Sequence, residues 1–176
     1  MQRRTAIRNL LIISGGIAIL PSCFGGKGKS SGGLKHLVVS REQETLLEAI
    51  AETILPATNT PGARELGLHL FVLKMVDDCH ETKDQQAFMK GLEQLSAAAE
   101  KQYGTSFTNS TRENREALLV GIEKDQQAAA EMGVFYRIMK DRTIQGYLNS
   151  KYVMTHLDVY ELVPGRYDGY FPVKAS

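Results

Sequence analysis

The chain has 176 residues, 43% of them hydrophobic, and a formal net charge of +1. That is enough apolar material for one real core, and the balanced charge argues against a nucleic-acid binder, which needs a concentrated basic face. Two cysteines, Cys23 and Cys79, cannot build a disulfide framework, a four-cysteine zinc site or a four-cysteine iron–sulfur site, and no Cys-x-x-Cys-His occurs for covalent haem.

Residues 1–22 read as an address. Arg3, Arg4 and Arg8 open the chain, and an apolar run from Leu10 to Leu20 follows, softened by Ser14, Gly15 and Gly16. A charged start, a short apolar stretch and small residues before a cleavage point make a signal peptide. The paired Arg3 and Arg4 resemble a twin-arginine export signal, whose pathway carries proteins already folded. The apolar run is well short of the roughly 20 residues that span a bilayer. Leu20-Pro21-Ser22-Cys23 resembles a bacterial lipobox, which makes Cys23 the expected lipidation site and the first mature residue. Ordinary cleavage nearby, with a chance cysteine, is the alternative. Cleavage before Cys23 removes three arginines and no acid, leaving a slightly acidic domain.

Residues 23–35 form the lipidated cysteine and a Gly/Ser/Lys-rich tether. Gly28-Lys29-Ser30 imitates the end of a phosphate-binding loop. The first glycine of that pattern would fall on Cys23 and no strand precedes it, so a spacer is the better reading.

Residues 36–176 are expected to form one helical domain. Ser40 and Gln43 fit a capping box, and Leu46, Leu47, Ile50, Ala51, Ile54 and Leu55 recur at helical spacing until Pro56. PATNTPG is a loop. Pro61 suits a first helical turn, so a second helix is expected over 63–79, with Leu68, Phe71, Val72, Met75, Val76 and Cys79 as its apolar stripe. The third covers 84–103, with Phe88, Leu92, Leu95, Ala99 and Tyr103 on one face and Gly104 as its cap. Ser110-Thr111-Arg112-Glu113 announces a fourth, which buries Leu118, Leu119 and Ile122 and can run on to 128–130. A fifth covers 132–150 and buries Phe135, Ile138, Met139 and Tyr147. No stretch of 34–176 alternates over a strand length. The fold class is all-α: a small bundle of about five helices with an irregular, aromatic C-terminal strap.

Reactive groupings are sparse. Asp77, Asp78, Cys79 and His80 are the densest set of metal-ligand types, but adjacent helical residues diverge by about 100° and do not share one ion easily. Cys79 reads as a small buried thiol and the two aspartates as a solvated helix end. His69 and His156 read as surface or satisfied core histidines. There is no G-x-S-x-G, H-E-x-x-H or G-x-G-x-x-G. The expectation is no catalytic, cofactor-binding or metal residues in this chain. Pro164, Gly165, Arg166, Tyr167 and Tyr170 cluster in the strap, and Tyr and Arg are favoured interface anchors. They read either as a docking surface for a partner or as a lid on the domain's own core.

Three blocks carry a family resemblance. Glu52-Thr53-Ile54-Leu55-Pro56-Ala57-Thr58-Asn59-Thr60-Pro61-Gly62-Ala63, Thr143-Ile144-Gln145-Gly146-Tyr147-Leu148-Asn149-Ser150 and Val163-Pro164-Gly165-Arg166-Tyr167-Asp168-Gly169 stand in the order of the signatures of the gluconate 2-dehydrogenase subunit 3 family, which this chain resembles. Asn59 replaces the family's usual Asp, and Leu148-Asn149 its Phe-Thr. The resemblance implies a non-catalytic small subunit. It accompanies a large FAD-containing sugar or sugar-acid dehydrogenase of the GMC type, often with a cytochrome c subunit, and assists export, maturation or membrane attachment of the large subunit. FAD is then the partner's cofactor. The expected location is the periplasmic face of a bacterial membrane, held by the lipid on Cys23. A free-standing envelope lipoprotein that binds a small ligand or scaffolds another complex is the alternative.

Overall fold

The computed structural model describes residues 33–124, 130–157, 165, 169 and 170. The signal, Cys23 and most of the tether and strap lie outside them. The described residues are helical, with no strand among them, so the all-α expectation holds.

Helix α1 spans Arg41–Ile54. Ser40 caps it as expected: its Oγ accepts from the Gln43 N–H at 3.2 Å, and its own N–H donates to Gln43 Oε1 at 2.9 Å. Replacing Ser40 by Ala should cost about 1 kcal/mol, read as a lower urea midpoint with an unchanged slope.

Helix α2 is shorter than expected, Leu68–Cys79. Residues 63–67 form turns instead, closed by Leu68 N–H donating to the Ala63 carbonyl at 2.9 Å. Gly67, at φ 61°, is left-handed and stops helix from propagating back to Pro61. The buried face also differs. It comprises Leu68, Val72 and Val76 with His69, Leu73 and Asp77, while Phe71 and Met75 are only half-buried. Cys79 is exposed, not a buried thiol. It is the last helical residue and the chain turns away at His80, so nothing covers it. Asp77, read as solvated, is 2% exposed.

Helix α3 spans Thr82–Tyr103 and ends on left-handed Gly104, whose N–H donates to the Glu100 carbonyl. A 3-10 turn, Phe107–Asn109, was not anticipated; it buries Phe107. Helix α4 spans Arg112–Lys124. Its cap lies one residue later than expected. Thr111 Oγ1 accepts from Asn114 N–H at 3.4 Å, while buried Ser110 donates its hydroxyl to the Ser106 carbonyl at 3.0 Å. The stretch 125–129 lies outside the described residues.

Helix α5, Ala130–Leu148, is the central element and packs on all four others. Its tightest crossing is with α3. Phe88 and Phe135 meet there at 4.9 Å between ring centroids, and Gly91 lies against the α5 backbone. Besides the expected Phe135, Ile138 and Met139 it buries Tyr136, Thr143 and Gly146; Tyr147 is half-buried. Glu123 ties α4 to it, accepting from Tyr136 Oη at 3.0 Å and Lys140 Nζ at 2.5 Å. Burial, then the Glu123 carboxylate, pushes the Tyr136 phenol up to about 12. A π-helical turn, Val153–Leu157, follows. No described helix is long and apolar enough to cross a membrane.

Candidate docking site

The first signature block is a loop braced from inside. Glu52, in the last turn of α1, accepts from the Ala57 N–H at 3.3 Å through Oε1 and from the Arg64 N–H at 2.8 Å through Oε2. One carboxylate thereby holds both legs. Ala63 N–H donates to the Leu55 carbonyl at 2.9 Å, and Thr58 N–H to the Thr60 carbonyl at 3.0 Å. A Cβ on Gly62 would lie 2.5 Å from Ala57 N and 3.0 Å from Glu52 Oε2, so the crossing of the legs has room for glycine alone. Ala63 is fully buried, whereas Ala57, Thr58 and Asn59 are exposed at the tip. Glu52, Gly62 and Ala63 of this block form the brace, while its tip faces solvent.

The returning chain runs antiparallel to α1. Arg64 Nε lies 3.7 Å from Glu48 Oε2, and His69 Nε2 lies 4.0 Å from Glu44 Oε1. His69 is buried and its Nδ1 has no hydrogen-bond partner. Burial lowers its pKa despite the raising effect of Glu48 and Glu44, so it is neutral at pH 7. The core-histidine reading holds for its position, although it is not fully satisfied.

The second block lies on the last turns of α5 and faces the first turn of α2. A Cβ on Gly146 would lie 2.7 Å from the Phe71 ring, which rests on that gap. Thr143 is fully buried. Ile144 and Leu148 point outward, 41% and 57% exposed, with Leu157 of the following turn 58% exposed. The first block leads into α2 and the second packs on its opening turn, so two distant signatures share one region. Large exposed apolar side chains grouped this way mark contact surfaces more often than chance.

Of the strap residues, Gly165 and Tyr170 are exposed, Tyr170 at 97%. Pro164, Arg166 and Tyr167 lie outside the described residues, as do Arg3, Arg4 and Cys23. Among the described residues no group of three His, Cys, Asp or Glu side chains could hold a metal ion. His80 faces Asp84 at 3.8 Å and Arg142 at 3.4 Å. A cleft of about 250 Å³ lies between Glu42 and Leu46 of α1, Leu92 and Ser96 of α3, and Phe107. That falls just under the roughly 300–1,000 Å³ of ordinary small-molecule sites.

Sequence reasoning missed Glu52 as a brace, Asp77 as a buried acid and the outward pair Ile144 and Leu148. Asp77 was detectable as the residue completing the i, i+4, i+8 series His69, Leu73, Asp77 on α2.

The fold and this region define a small all-α domain that presents a braced loop and an apolar helix edge around one helix start. The chain belongs to the gluconate 2-dehydrogenase subunit 3 family, whose model matches residues 41–165. It is thereby an accessory-type subunit associated with a gluconate dehydrogenase complex. No curated protein and no solved structure matches the chain.

Proposed function

We propose that this chain is the non-catalytic small subunit of a periplasmic, membrane-associated flavin-dependent sugar or sugar-acid dehydrogenase. It docks on the FAD-containing large subunit and assists that subunit's export, maturation or membrane attachment; a cytochrome c subunit completes the electron path. Arg3 and Arg4 direct export, and the lipid on Cys23 holds the subunit at the periplasmic face. The observation that carries docking is the meeting of two family signatures at the start of α2, where their buried residues brace the surface and residues 57–59, Ile144 and Leu148 are left outside. The strap residues Pro164, Gly165, Arg166, Tyr167 and Tyr170 are further partner-binding residues in this reading.

The test is co-purification from the native envelope with a flavin absorbance spectrum of the bound material. Ile144→Asp and Leu148→Asp should each weaken capture of the flavoprotein by about 30-fold, the effect of losing an anchor worth about 2 kcal/mol. The domain should stay folded with at most a small drop in melting temperature, because Leu148 is mostly exposed and Ile144 partly so; binding is compared for the folded protein. Unchanged capture by folded variants would overturn the docking face. Absence of any flavoprotein from the wild-type complex would overturn the function.

A further inference from the structure

We infer that the cleft between α1, α3 and the 3-10 turn is an anchor pocket for an arginine side chain of the partner protein. The inference rests on the accessory-subunit reading for the partner and on the structure for the pocket.

The floor of the cleft is apolar and fixed. Leu92 and Phe107 are buried, and Leu46 packs against the core beside them. The short turn that carries Phe107 is held locally. The Ser106 and Thr108 hydroxyls lie 3.1 Å apart, and the Ser106 carbonyl accepts from the Ser110 hydroxyl at 3.0 Å. Arg115 braces the same turn: its Nη2 donates to the Thr108 carbonyl at 2.5 Å and its guanidinium lies 5.8 Å from the Phe107 ring centroid. Arg115 does not itself line the cleft.

The rim is acidic. Glu42, from the first turn of α1, and Glu93, from α3, both line the cleft, and among the described residues no Lys, Arg or His does. The natural partner of Glu93 on its own helix is Lys90, three residues back. Lys90 instead pairs with Glu131 of α5 at 2.6 Å, and Glu93 makes no ion pair among the described residues. The cleft therefore offers an apolar floor and anionic acceptors, with no cation of its own to match them.

That chemistry selects the occupant. At about 250 Å³ the cleft is smaller than an ordinary small-molecule site and suits one anchoring side chain. An anion would be repelled, and a purely apolar side chain would take water from the carboxylates without pairing them. Long basic side chains lay their stems on apolar surface and keep the charged head at a polar rim. Arginine fits better than lysine, because its guanidinium is weakly hydrated, stacks on rings and forks to a carboxylate through two parallel hydrogen bonds. The pocket opens on the first turns of α1, whereas the braced loop follows its last turn. It is thus a second contact, separate from the signature region.

The experiment uses the full exported chain and a blocked Leu-Arg-Leu tripeptide, followed by NMR. The Leu46 and Leu92 methyl signals should shift and saturate at a roughly millimolar dissociation constant, as expected for one anchor. The same peptide with citrulline, which has the shape of arginine without its charge, should bind about tenfold more weakly, and so should the arginine peptide to Glu93→Gln. A lysine peptide should bind severalfold more weakly. Ser96→Leu, which fills the cleft from α3, should abolish the shifts. In co-purification from the envelope, Glu93→Gln should weaken capture of the flavoprotein about tenfold. Glu93 is exposed, so this variant keeps its fold. Equal binding of the arginine peptide and its citrulline or lysine counterpart, or no shift at Leu46 and Leu92, would overturn the arginine pocket. Unchanged flavoprotein capture by Glu93→Gln would overturn its use by the partner. A tenfold gain in peptide affinity in Arg166→Ala would do the same, by showing that the chain's own arginine fills the cleft. Absence of any flavoprotein from the wild-type complex would remove the proposed function and leave the peptide titration to judge the pocket.

Discussion

Replacing Gly91 by Ala should destabilise the domain by about 2 kcal/mol, although alanine is the better helix former. Its Cβ would lie 2.4 Å from Phe135 Cβ and 2.5 Å from the Glu131 carbonyl oxygen, distances that real atoms do not adopt. The obstacle is α5 backbone and the root of a side chain, so no rotamer change relieves it. The helices must separate, loosening the Phe88–Phe135 contact and the 2.6 Å Lys90–Glu131 pair. Overpacking of this kind costs about 3 kcal/mol, and about 1 kcal/mol returns from helix propensity. Gly121 and Gly133 supply the control. An added Cβ meets nothing within 4 Å at either, so alanine there should stabilise by about 0.5–1 kcal/mol. Urea denaturation of the three variants should give opposite signs. A neutral or stabilising Gly91→Ala would mean that the two helices do not approach as described.

Asp77→Ala should cost about 3 kcal/mol, through three N–H groups that lose a charged acceptor. That is less than three full charged hydrogen bonds, because Lys35 and His36 are exposed and water can replace part of the loss. The same acid sets a pH dependence. Burial by itself would raise its pKa, but the amides of Lys35, His36 and Leu37 together outweigh burial and hold it below the ordinary value. A carboxylate depressed in the folded state contributes stability that is fully present above the unfolded pKa, near 3.8, and is lost as pH falls through the folded pKa. The wild type should therefore lose stability below about pH 4 more steeply than Asp77→Ala. Parallel stability curves from pH 6 to pH 2 would show that the acid is not held by these donors.

The helices were legible where a local rule governs them. Ser40 and Gln43 satisfy each other within one turn, and Gly104 ends α3 for a reason internal to its own backbone. Local rules failed where a neighbour overrode them. Pro61 permits a helix start, but Glu52 and the Gly62 crossing bend residues 55–67 into a loop and left-handed Gly67 delays α2 to Leu68. Ser110 and Thr111 offer the same hydroxyl; buried Ser110 bonds backward to Ser106, leaving the cap to Thr111.

Fold class, the approximate span of each helix and the family were legible along the chain, because helical periodicity, capping residues and signature blocks are written in residues close together in sequence. The roles of the signature residues emerged only in three dimensions. Glu52, Gly62 and Gly146 brace the surface from within, and Ile144 and Leu148 are left outside it. Tertiary structure also turned Asp77 inward and left Cys79 exposed. An aspartate reads as solvated until amides from residues 35–37, some forty positions away in sequence, come within 2.8 Å and replace its water. A cysteine at an apolar spacing reads as buried until its helix ends with nothing packed over it. Burial is a property of what lies opposite a residue, and periodicity within one helix records only the direction in which the residue points.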